Sequence, residues 1–133
     1  MMKKTHVAIS LAITIPIVKY LNIPYVSLIA VLGATAPDWD IIIPGIKHRT
    51  ITHSLLISII STALISSFNF SIGFIWLTSY LSHLLSDSFT RMGVPLLYPF
   101  KKEYYGFKLV RTGQSEDMFV CLLAIIIISL EIF

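Results

Sequence analysis

Five apolar stretches of helical length, each ended by a polar or proline-bearing break, limit what this chain can build. They run from about His6 to Lys19, from about Pro24 to Ala36, from about Thr50 to Phe68, from Ile72 to about Thr90 and from Ser115 to Phe133. Pro24 suits the first turn of a helix, and Pro37 ends the second stretch because proline removes a donor and clashes with the preceding turn. All five read as helices, so the expected class is all-α. A length of 133 residues holds a single domain, read here as spanning 1–133.

Hydrophobic residues make up 56% of the chain and charged residues 13%, against roughly 45–50% and about 25% in soluble domains. That balance, with a mean hydropathy of +0.83, predicts a polytopic membrane bundle of about five helices. The first two stretches are short for a hydrocarbon layer of about 30 Å, so thinned lipid or a re-entrant pair is expected there. Ser54, Ser58, Ser61, Ser66 and Ser67 give the third stretch the small polar residues found where membrane helices pack closely. Lys3 and Lys4 before an apolar run, and Ala34-Thr35-Ala36 further on, imitate a signal peptide. The break at Lys19-Tyr20-Leu21-Asn22 and Pro37 after the box argue against cleavage, and the first helix is expected to stay as an anchor. Cys121 is the single cysteine, which excludes an intrachain disulfide and makes a thiolate ligand unexpected. The net charge of +3 is spread along the chain rather than gathered in a stripe, so no nucleic-acid partner is expected.

Five alternating crossings would bring the N-terminus, the loop between the second and third stretches and the loop between the fourth and fifth to one side. That side would hold Lys3, Lys4, Lys47, Arg49, Arg91, Lys101, Lys102, Lys108 and Arg111, leaving Lys19 opposite. The positive-inside rule makes it cytoplasmic, in a multi-pass inner-membrane protein with its C-terminus on the far side. The connection 91–112 mixes Tyr98, Phe100, Tyr104, Tyr105 and Phe107 with basic residues, and is expected to lie in the headgroup zone as a lid or hairpin.

All four histidines and several carboxylates fall at that same side: His6, Asp38, Asp40, His48, His53, His83, Asp87 and Glu116. Ionisable groups at a membrane need a partner or a cation. Pairing of the carboxylates with nearby Lys and Arg is the plainer alternative, but the whole set is harder to explain that way. His83 and Asp87, four apart, share a helix face. Asp38 and Asp40 leave a turn held by Pro37. His48 and His53, five apart, cannot share one face, so His48 is placed in the loop. Thr50 or Thr52 is expected to cap the third helix, with His53 in its first turn. The expected metal ligands are His6, Asp38, Asp40, His53, His83 and Asp87; Arg49 would bind an anionic group, and His48 or Glu116 would act as general acid or base. A catalytic zinc commonly uses three protein ligands plus water, so this many candidates suggests two divalent ions. Mixed imidazole and carboxylate donors suit zinc first, then manganese or iron, rather than calcium.

Taken together, His6, Pro37-Asp38-Trp39-Asp40, His48-Arg49-Thr50-Ile51-Thr52-His53-Ser54, Ser82-His83-Leu84-Leu85-Ser86-Asp87, Gly93-Val94 with Leu97-Tyr98-Pro99-Phe100, and Glu116 resemble the YdjM-like family of bacterial and archaeal inner-membrane proteins, some of them under LexA control. The resemblance covers about His6 to Glu116 and implies a membrane-bound metal-dependent hydrolase, without supplying a substrate. A looser similarity to zinc-dependent phospholipases C, through the His-x-x-x-Asp pair, is analogy alone. The expected function is hydrolysis of a phosphoester or ester of a lipid or membrane-associated substrate by a metal-activated water. The rival is a non-catalytic metal-binding membrane protein for transport or regulation. Against transport, the centres of the apolar stretches lack charge, and the far side shows only Lys19 and Glu131.

Overall fold

The computed structural model describes residues 1–45 and 48–133, so Lys47, counted above among the basic residues, lies outside the described residues. Five helices follow in order: α1 Lys3–Leu21, α2 Ser27–Thr35, α3 Leu55–Ser66, α4 Phe70–Ser88 and α5 Ser115–Ile132. Short 3-10 turns, Pro24–Val26, Ala36–Ile41 and Ile51–His53, flank α2 and precede α3. The all-α class and the count of five are as expected, and no strand occurs among the described residues.

The helix ends follow local chemistry. Asn22, at φ 55°, closes α1 in the left-handed region that asparagine tolerates. Asn69 starts α4 by accepting the Ile72 N–H at 3.1 Å. The cap of α3 differs from expectation: Ser54, not Thr50 or Thr52, accepts the Ile57 N–H at 3.4 Å. Thr52 is withdrawn from that role because its hydroxyl donates to Asp40 Oδ2 at 2.7 Å, and His53 consequently lies in the 3-10 turn ahead of the helix rather than inside its first turn.

Helix α4 is the axis of the bundle, packed against α1, α2 and α3, while α1 also carries α2 and α5. One apolar cluster joins Val18, Val26, Ala30 and Ile75; a second, nearer the C-terminal half of α4, joins Ala36, Trp76, Tyr80 and Leu84. Gly33 allows α2 to approach α4 closely, since a Cβ there would sit 2.9 Å from Ser79 Cβ and 3.1 Å from the Trp76 carbonyl. Cys121 is buried and unpaired with Ala8 and Ala124 between α1 and α5.

No described helix is long and apolar enough to cross a membrane. The reasons differ by helix. At about 1.5 Å per residue, the 12 residues of α3 fall well short of a hydrocarbon layer of about 30 Å. Helix α1 carries Lys3, Lys4 and Lys19; α4 carries His83 and Asp87; α5 carries Glu116, Asp117 and Glu131. Five independent crossings therefore do not emerge from the helices themselves. Their alternating order survives: the start of α1, the end of α2, the approach to α3, the end of α4 and the start of α5 meet at one end of the bundle. The connection 91–112 folds back there as an irregular hairpin, with isolated bridges Thr90 to Val110 and Val94 to Tyr105 and the Phe107 N–H on the Ser88 carbonyl at 2.8 Å.

Candidate metal centre

At that end Asp38 and Asp40 come from the 3-10 turn after α2, His53 from the turn before α3, His83 and Asp87 from one face of α4, and His6 from the first turns of α1. His6, His53 and His83 are at most 1% exposed, as are Asp40 and Asp87. His83 Nε2 lies 3.6 Å from Asp38 Oδ1 and 3.7 Å from Asp87 Oδ2. His53 Nε2 repeats the pattern, at 3.6 Å from Asp38 Oδ1 and 3.7 Å from Asp87 Oδ2. These separations are too long for hydrogen bonds. They match the spacing of donors around one ion, because ligands about 2.0–2.2 Å from zinc lie roughly 3.3–3.6 Å apart along a tetrahedral edge.

His53 Nε2, His83 Nε2 and Asp87 Oδ2 are buried and have no hydrogen-bond partner. Orphaned polar atoms of this kind cost about 1–3 kcal/mol each, so three at one point ask for a ligand. The opposite atom of each side chain is anchored. His83 Nδ1 donates to the Ala34 carbonyl at 2.6 Å, which leaves the Nε2 lone pair facing the cluster. His53 Nδ1 meets the Thr52 hydroxyl at 3.1 Å and stands 3.6 Å from Asp40 Oδ2. Asp87 Oδ1 receives Arg49 Nη2 at 2.8 Å and the Met1 ammonium at 2.5 Å, with His6 Nε2 at 3.2 Å. Anchoring of this sort fixes which imidazole nitrogen and which carboxylate oxygen are presented to a metal.

Asp38 bears the electrostatic signature of the arrangement. Burial alone would raise its carboxyl, but the imidazoles of His53, His83 and His6 outweigh that and hold it down at about 2.

Among the described residues, three overlapping groups have metal-ligand composition and reach: His6, His83 and Asp87; Asp38, His53 and His83; Asp40, His48 and His53. All six expected ligands therefore come together. They do so unequally. Asp40 is already occupied by His48 Nδ1 at 2.9 Å, the Arg49 N–H at 3.1 Å and the Thr52 hydroxyl, so it organises the loop 48–53. His48 is the exposed member, its side chain 41% accessible. The unpartnered atoms converge on one point, not two.

Two expected roles change. Arg49 is buried, with Nη1 on Thr90 Oγ1 at 3.0 Å and on the Gly93 carbonyl at 3.3 Å and Nη2 on Asp87, so its charge is committed to the protein. Its backbone is left-handed, φ 57°, an uncommon conformation for a non-glycine residue. Asp40 accepting its N–H and the Tyr104 hydroxyl donating to its carbonyl at 2.9 Å hold it there. Glu116 is exposed and meets Ser115, outside the three ligand groups. The inward carboxylate of α5 is its neighbour Asp117, which sequence reading passed over. The signal was present: Asp117, Cys121 and Ala124 fall at i, i+4 and i+7, the spacing of a buried helical stripe. Thr52 and Ser86, which support His53 and His6, carry no comparable signal in a serine- and threonine-rich chain.

The fold and site define an all-α bundle that gathers a buried histidine–aspartate cluster of metal-ligand composition at one end. The chain belongs to the YdjM inner membrane protein family, which it matches over residues 1–132. No curated protein and no solved structure matches it.

Proposed function

We propose that this protein is a metal-dependent hydrolase of the inner membrane, acting on a phosphoester or ester carried by a lipid or membrane-associated substrate. The observation that supports the metal is the convergence of three buried, unpartnered donor atoms on His53, His83 and Asp87, with Asp38 Oδ1 3.6 Å and Asp87 Oδ2 3.7 Å from both imidazole Nε2 atoms. Two imidazole nitrogens with two carboxylate oxygens fit zinc first, with manganese or iron as substitutes. When bound, the ion would acidify a water and stabilise charge on the leaving oxygen. The proposal keeps one ion, because Asp40 and His48, which a second would need, already bond each other.

His48 is the group for proton transfer. Its Nδ1 is held by Asp40 at 2.9 Å, its ring stands edge-on to His53 with centroids 5.2 Å apart, and it is open to solvent. Arg49 acts through Asp87, fixing Oδ1 so that Oδ2 faces the centre. A cavity of about 360 Å³, lined by Met1, Ile9, Leu85, Phe89, Val110 and Val120 together with Ser82 and Ser86, reaches Met1 and Ser86, the partners of Asp87 and His6, and is apolar enough for an acyl chain. Exposed Ile41, Ile42 and Ile43 beside the ligand turn, and Leu122, Ile126 and Leu130 along α5, suit contact with lipid. The bundle is read as seated in the membrane as a unit, ligand end toward the cytoplasmic leaflet.

Purified protein in detergent should carry about one transition metal per chain and hydrolyse members of a panel of lipid phosphoesters and esters, with activity abolished by chelator and by His83→Ala. Metal-loaded protein inert on the whole panel would favour the non-catalytic alternative. Protein that takes up no metal would remove both. A cysteine at position 102 in intact cells should react with membrane-permeant reagent only.

A further inference from the structure

Helix α5 contributes nothing to the ligand groups, yet its one fully buried charged side chain, Asp117, points at the helix that delivers His6. Asp117 is 0% exposed. Its Oδ1 accepts the Thr5 hydroxyl at 2.7 Å, and its Oδ2 accepts the Met2 N–H at 2.9 Å and the Gly113 N–H at 2.8 Å. Two of the three donors therefore belong to the start of α1, one immediately before His6 and one four residues before it. The third belongs to the turn that enters α5.

Helix α1 has no side-chain cap of its own; Met2 occupies that position and its side chain has no oxygen to offer. A carboxylate from another helix supplies the anion that a helix N-terminus favours. Thr5, held through its hydroxyl and fully buried, cannot rotate without breaking that bond. The next residue is His6, whose Nδ1 must meet Ser86 Oγ at 2.7 Å while Nε2 faces Asp87 Oδ1 at 3.2 Å and the ring stacks on His83 with centroids 3.7 Å apart. Three simultaneous constraints on one imidazole leave little freedom in the rotation of α1 about its axis.

We propose that Asp117 is the positioning residue of His6: by tying Thr5 and Met2 to the start of α5, it sets the rotation of α1 that aims the His6 ring at Asp87 and His83. Its consequence for metal affinity rests on the metal-centre reading above; its consequence for His6 does not.

The test uses the full chain in detergent, with Asp117→Asn, Asp117→Glu and Thr5→Val, and two readouts. The first is the imidazole C–H resonances of His6, assigned with His6→Ala, with those of His48 as an internal control. The second is cobalt(II) affinity and its visible spectrum. Asp117→Asn should move the His6 resonances, leave those of His48 in place and weaken cobalt binding by about tenfold, the lower end of the range for residues that support a ligand, because His6 reaches the donor set through Asp87. Thr5→Val, which removes one donor, should shift the same resonances by less, and Asp117→Glu should recover part of the affinity. His6→Ala should add little loss on an Asp117→Asn background. Unmoved His6 resonances with wild-type cobalt affinity in both Asp117→Asn and Thr5→Val would overturn the proposal; if Asp117→Asn fails to fold, Thr5→Val decides. Wild-type protein that binds no cobalt would remove the metal-centre reading, while the resonance comparison would still decide whether Asp117 positions His6.

Discussion

The two ends of the bundle are built on opposite principles. At the far end Val18, Val26, Ala30 and Ile75 close an apolar core, with Tyr20, Phe68 and Phe70 exposed around it, Lys19 donating to the Glu131 carbonyl and Glu131 Oε2 buried without a partner. At the ligand end the interior itself is polar: three histidines, four aspartates and an arginine are buried together, and some of their atoms are unpartnered. The far end is stabilised by burial of area; the ligand end is held by a few directed bonds that oppose the cost of desolvating charge. One end can therefore be altered without the other changing its chemistry.

The largest break in that contrast is expected from Asp87→Ala. It removes the counter-charge of Arg49 and leaves a buried guanidinium with only the neutral acceptors of Thr90 and Gly93, a loss of about 3–5 kcal/mol, measurable by denaturant unfolding in detergent and accompanied by loss of metal. Ile75→Ala, at the far end, should cost about 2–5 kcal/mol through its cavity and leave metal affinity at the wild-type value; a change in affinity would show that the ends are coupled. Adding zinc at about 100 times its dissociation constant should stabilise the chain by about 2.7 kcal/mol, an increment absent in His83→Ala. Hydrogen exchange should place the added protection at the ligand end first.

The smallest effect is the pH response of Asp38 in metal-free protein. Its carboxyl is held at about 2, below the ordinary 3.8, so its contribution is fully present above about pH 4 and fades as pH falls toward 2. Asp38→Asn should flatten the stability profile in that window and leave the neutral region's slope unchanged.

Much of this was legible in the chain. His83 and Asp87 are four apart on a helix, so their shared face follows from helical geometry whatever surrounds them. The meeting of His6, Asp38, Asp40 and His53 with that pair follows from counting alternating helices, and it held although no described helix is long and apolar enough to cross a membrane. Arg49 was misread because a loop arginine beside two histidines looks available; only the fold brings Thr90, Gly93 and Asp87 around its guanidinium. Glu116 was chosen over Asp117 because the spacing of Asp117, Cys121 and Ala124, which marks the buried face of α5, was not used.

By itself, then, the sequence determined the five helices and the set of ends that carry the candidate ligands, because proline breaks, polar breaks and residue spacing act over a few residues at a time. The tertiary structure decided which atoms of the candidate ligands are free. That depends on the other atom finding a partner far away in the chain: Ala34 for His83 and Arg49 for Asp87, whereas His6 is held at both nitrogens, by Ser86 and Asp87. It also depends on the rotation of α1 and α5 against each other, which places Asp117 inside and Glu116 in solvent.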